Sequence, residues 1–92
     1  MKQEQLRQLC KIVECYGPDR QQDKAIEECS ELIKAICKWK ETSDHAEEIV
    51  DEIADVEIMC NQLKIIFDCF GEVEERIEFK INRQLERIAK NP

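Results

Sequence analysis

From residue 49 to residue 70, apolar side chains recur in alternating steps of four and three: Ile49, Ile53, Val56, Cys60, Leu63, Phe67 and Phe70. That rhythm keeps one face of a helix in register with its neighbours for many turns. Little else in the chain interrupts helices. Two glycines and two prolines in 92 residues supply too few turns for a sheet of short strands, so a few long helices are expected.

Gly17-Pro18 is the first strong break. Before it, Leu6, Leu9, Cys10 and Val13 predict a short amphipathic helix over about residues 2–15. Asp19 is the expected cap of the second helix, with Gln22 three residues on as in a capping box. This helix runs to about Lys40, with Ile26, Cys29, Ile33, Ile36 and Cys37 as its apolar face and Lys34, Lys38 and Lys40 near its C-terminus. Thr42-Ser43-Asp44 is a short polar break, and Asp44 with Glu47 reads as the cap of the third helix. Gly71 is expected to end it. A fourth helix spans about Glu72 to Ala89, with Val73, Ile77, Ile81, Leu85 and Ile88 inward. The fold class is therefore all-α: a four-helix chain forming one domain over residues 1–92, its central helices antiparallel because their connection is short.

The second half of the third helix, Ile58-Met59-Cys60 and Leu63 through Phe67, is apolar almost all round and needs cover on more than one side. Helices one and four can supply it within one chain. The expected arrangement is a homo-oligomer, at least a dimer, that completes the bundle.

A net charge of −7 disfavours a nucleic-acid partner. No apolar run suits a bilayer span, and the N-terminus lacks the apolar core of a signal peptide, so a cytoplasmic protein without a membrane partner is expected. Six cysteines raise the question of disulfides or zinc. There is no CxxC pair and His45 is the single histidine, while Cys10, Cys29, Cys37, Cys60 and Cys69 fall in predicted helices. They read as reduced, buried and structural.

The acids are the informative residues. Glu41, Asp44, Glu47, Glu48, Asp51, Glu52, Asp55 and Glu57 lie between Glu41 and Leu63 with no Lys or Arg among them, and Glu27, Glu28 and Glu31 precede Lys34 on the second helix. Surface helices ordinarily mix signs, because like charges three or four apart repel. Glu28 and Glu31 stand three apart, as do Glu52 and Asp55, so each pair presents two carboxylates side by side. At about 100° per residue, Glu52 borders the apolar stripe whereas Asp51 points away from it. Two such pairs on antiparallel helices can face one another. All-oxygen ligation then suits Mg²⁺ or Mn²⁺. A solvated acidic face with no site stays open at this point, and a di-iron bundle lacks its Glu-x-x-His motifs.

Glu27-Glu28-Cys29-Ser30-Glu31-Leu32, followed about twenty residues later by Glu52-Ile53-Ala54-Asp55-Val56, resembles the EExxE…ExxD signature of the MazG-like all-α nucleoside triphosphate pyrophosphatases, in particular their short single-domain members. The likeness extends from about Gln21 to Arg83, with Gln21 and Lys80-Ile81-Asn82-Arg83 also at family positions. It implies cleavage of a (deoxy)nucleoside triphosphate between the α- and β-phosphates, with Glu28, Glu31, Glu52 and Asp55 as metal ligands in a dimer or tetramer. Glu27 or Glu48 is a candidate to orient the attacking water. Lys80 and Arg83 are candidates for phosphate contacts or, alternatively, for pairing with neighbouring acids. Gln62 lies two turns beyond Asp55 on the same side and is a candidate for base or sugar, with a solvent-facing amide as the alternative. Trp39 reads as packing and His45 as a loop residue. The competing reading is a non-catalytic acidic helical interaction module, whose apolar third helix docks a partner.

Overall fold

The computed structural model describes residues 1–91. Four helices make up the described residues: α1 (Gln3–Tyr16), α2 (Pro18–Thr42), α3 (Ala46–Phe67) and α4 (Phe70–Lys90). None is long and apolar enough to cross a membrane.

Their ends follow local chemistry. Lys2 donates its N–H to Gln5 Oε1 at 3.0 Å, and α1 closes on Gly17, whose N–H bonds the Val13 carbonyl at 2.8 Å. Gly17 has φ 90°, where a side chain would be strained, and Pro18 follows at the first helical position, where its missing N–H costs nothing. The expected Asp19–Gln22 capping box is therefore replaced by a Gly-Pro start, and Asp19 sits inside the first turn with only its charge favouring that end. Likewise the cap of α3 is His45 in left-handed conformation, and Asp44 serves one step earlier by accepting the His45 N–H at 2.9 Å. The third helix stops at Phe67, short of Gly71. Asp68 takes the left-handed position (φ 49°) that Gly71 was expected to supply, an accommodation short polar side chains allow. Phe70 and Gly71 accordingly open α4.

Helices α2 and α3 pack against each other along most of their length, with α1 against both. The pairing is antiparallel: Lys24 and Glu28 share a cavity with Asp55 and Met59, whereas Lys34 and Lys38 share one with Glu48 and Glu52. The seam is built from small and polar residues. On α2 it runs through Gln21, Ala25, Glu28, Leu32 and Ala35; on α3 it includes Glu52, Asp55, Met59 and Gln62. Leu9 and Val13 of α1 close its third side.

This corrects the expected faces. Ile26 (71 % exposed), Ile33, Ile36 and the cysteines Cys29 and Cys37 lie outside the seam on α2, and Ile53, Cys60, Phe67 and Phe70 lie outside it on α3. Ile49, Val56 and Leu63 of the expected α3 stripe are half-buried at the edge of the seam, which is displaced from that stripe by about one residue, roughly 100°. All six cysteines are free as expected, but Cys15, Cys29, Cys37 and Cys60 are exposed and only Cys10 and Cys69 half-buried; Cys69 precedes α4 and lies outside the helices.

Helix α4 touches α3 alone. Val73 is its one half-buried residue, and Ile77, Ile81, Leu85 and Ile88 face outward, contrary to expectation. A radius of gyration of 16.2 Å reflects this; a compact domain of this length has about 12 Å. In the apolar half of α3, Met59 is buried and Ile58, Leu63, Ile65 and Ile66 are half-buried within the chain, while Cys60 and Phe67 stay exposed.

Candidate metal centre

The α2–α3 seam carries the acids. Carboxylate oxygens of Glu28, Glu52 and Asp55 all lie within 4.8 Å of one another, each half-buried. Glu28 comes from one helix and the i, i+3 pair Glu52–Asp55 from the other, so the cluster exists only once the two helices pack. Glu31 is exposed beside it and lines the next cavity along with Glu52. The structure thus brings three of the four candidate ligands together and places the fourth at the edge.

Burial raises the Glu28 carboxyl above its ordinary pKa, and Asp55, within hydrogen-bonding reach, raises it further. Lys24 works in the opposite direction, its Nζ 3.5 Å from Glu28 Oε1. Glu52 is raised by burial and then by Asp55, Glu31, Asp51 and Glu48. Its Oε2 is buried with no hydrogen-bond partner. An orphaned carboxylate oxygen among like charges fits a cation, and three hard oxygen donors fit a divalent one.

Two cavities flank the cluster. One is a cleft of about 620 Å³ between α1, the start of α2 and the middle of α3, lined by residues that include Gln21, Lys24, Glu27 and Gln62. Gln62 is 2 % exposed, so the solvent-facing alternative falls. The other, of about 360 Å³, is lined by Glu31, Lys34, Ala35, Lys38, Glu48, Asp51 and Glu52. Lys38 Nζ sits 3.3 Å from Glu48 Oε1. Of the two candidate water-orienting acids, Glu48 shares a cavity with Glu52, whereas Glu27 faces the first cleft and pairs with Lys24 at 3.7 Å.

Lys80 and Arg83 are not brought to the cluster within one chain. Both are exposed on α4, and Arg83 lies over the Phe79 ring at 5.7 Å. Trp39 is 39 % exposed, consistent with peripheral packing. His45 is exposed at the turn between α2 and α3. Sequence reasoning missed Lys24, Tyr16 and Arg20. The i, i+4 spacing of Lys24 and Glu28 was the available signal for the first. Tyr16 and Arg20 stand on either side of the Gly17-Pro18 break, and only folding makes them neighbours.

Compared with known proteins, the chain matches no protein family, no curated protein and no solved structure.

Proposed function

We propose that this protein is a divalent-cation-dependent nucleoside triphosphate pyrophosphohydrolase of the MazG-like all-α kind, releasing nucleoside monophosphate and pyrophosphate and clearing surplus or non-canonical (deoxy)nucleotides in the cytoplasm. The observation that carries this reading is the convergence of Glu28, Glu52 and Asp55 from two helices. It occurs in a stretch of α3 with no cationic side chain and in the order of the EExxE…ExxD signature.

In this reading the three carboxylates, with Glu31 alongside, hold Mg²⁺ or Mn²⁺. A divalent cation held there would supply charge neutralisation for the triphosphate and a lowered pKa for a bound water. The protein's own part is positional. Glu48 accepts a hydrogen bond from the attacking water and Lys38 fixes the Glu48 carboxylate. The pyrophosphate leaves in line with and opposite to that water, so its charge falls away from Glu48, on the side of Lys24 beside Glu28. A second copy completes the molecule by covering the exposed apolar faces of α2, α3 and α4. Its Lys80 and Arg83 equivalents are then available for phosphate. The test is incubation with a nucleotide panel, with and without Mg²⁺. Monophosphate and pyrophosphate should appear only with metal and vanish in Glu52→Gln; undiminished turnover in that variant sinks the assignment.

The exposed apolar face of α4 favours a second reading, a helical interaction module whose acids only solubilise. It expects no rise in melting temperature with Mg²⁺, whereas a metal site expects a rise that Glu52→Gln abolishes.

A further inference from the structure

The cleft between α1 and the α2–α3 seam is not used by the carboxylate chemistry. Its most buried residue is Gln62, whose Oε1 has no hydrogen-bond partner. Gln21, 7 % exposed, lines the same cleft. Ile12 and Met59 contribute apolar wall, and at one side the Arg20 guanidinium lies over the Tyr16 ring, 5.6 Å from its centre. A buried amide oxygen without a donor is a standing penalty that a ligand N–H removes. Apolar wall, aromatic ring, planar guanidinium and two amides together match a flat heteroaromatic ring with a polar edge. They do not match phosphate, because Asp23 and Glu27 also line the cleft.

We propose that this cleft holds the nucleobase, that Gln62 Oε1 accepts an N–H from the base edge, and that the stacked Tyr16–Arg20 pair walls one side of the cleft. This rests on the pyrophosphohydrolase reading and fixes the direction of the substrate. The base lies toward α1. The triphosphate passes Lys24, which lines both the cleft and the cavity beside Glu28 and Asp55. Gln62 is then a specificity residue that selects for an N–H on the base and rejects its methylated counterpart.

The test compares each parent nucleotide with a form methylated at the edge nitrogen: dUTP with 3-methyl-dUTP, dCTP with N4,N4-dimethyl-dCTP, dATP with N6,N6-dimethyl-dATP and dGTP with 1-methyl-dGTP. For the preferred base, kcat/KM should fall at least about 30-fold on methylation. In Gln62→Met, which conserves volume and removes the oxygen, parent and methylated forms should converge. Equal use of both forms by the wild type, or an unchanged ratio in Gln62→Met, overturns the proposal while leaving the hydrolase reading intact. Calorimetry with the four deoxynucleoside monophosphates, without divalent cation, reads the cleft independently of catalysis. Binding lost in Gln62→Met and kept in Glu52→Gln supports the cleft even if no triphosphate is hydrolysed; no binding of any of the four overturns it.

Discussion

Lys38 Nζ lies 3.3 Å from Glu48 Oε1, the single ion pair among the described residues that joins α2 to α3. Both side chains are nearly half exposed, so solvent screens the pair and its worth to folding is about 0.2–1 kcal/mol. Its interest is its place, next to Glu52 and Glu31 in one cavity.

Glu48→Gln should therefore leave the melting temperature almost unchanged while lowering kcat by about 100-fold, the scale of a lost general base. Glu27→Gln, on the cleft side, should cost no more than a few-fold. Steady-state kinetics on the preferred triphosphate separate the two. Equal losses would remove the distinction between them.

Without metal, stability should fall as pH rises out of the ordinary carboxylate range. Burial and then Asp55 raise the pKa of both Glu28 and Glu52. Between the ordinary and the raised values the folded chain binds more protons than the unfolded one, so the slope of stability with pH is negative. Asp55→Asn should flatten that slope. Because ligands must be deprotonated, Mg²⁺ should stabilise more strongly toward the upper end of the same window. Chemical denaturation at a series of pH values, with EDTA or with Mg²⁺, checks both signs.

The outward stripe Ile77, Ile81, Leu85 and Ile88 should be covered by a second copy. Sedimentation should give a dimer or larger species for the wild type, and Ile81→Asp with Leu85→Asp should shift it toward monomer. A wild type that is monomeric at high concentration would contradict this.

Ser43 ends α2 in left-handed conformation (φ 54°), and its N–H bonds the Trp39 carbonyl at 2.7 Å. Glycine takes that conformation freely, so Ser43→Gly should stabilise the fold by about 1 kcal/mol, read as a higher thermal midpoint.

The number, order and approximate limits of the helices were legible because Gly17-Pro18 and Thr42-Ser43-Asp44 interrupt otherwise continuous helical periodicity. The break after α3 was misplaced by a few residues because Asp68 does what glycine more often does. Which faces meet inside the chain was not legible. Apolar periodicity marks apolar faces whether or not they pack inside the chain, and the seam here includes Ala25, Ala35, Gln21 and Gln62, which carry little apolar signal. The acidic residues were legible for a different reason: i, i+3 spacing fixes which carboxylates share a side whatever packs there. Their convergence depended only on an antiparallel α2–α3 pair. Tyr16 and Arg20 became neighbours through the turn at Gly17, which sequence spacing does not describe.

Helix α4 is anchored to one neighbour near its start, and 21 residues of helix in water are only marginally stable alone. In a lone chain its amide protons would exchange with solvent at rates close to those of a free peptide, while those of the α2–α3 seam would be protected. Slow exchange along α4 would consequently register association at each residue, making this helix a built-in gauge of how many chains are together.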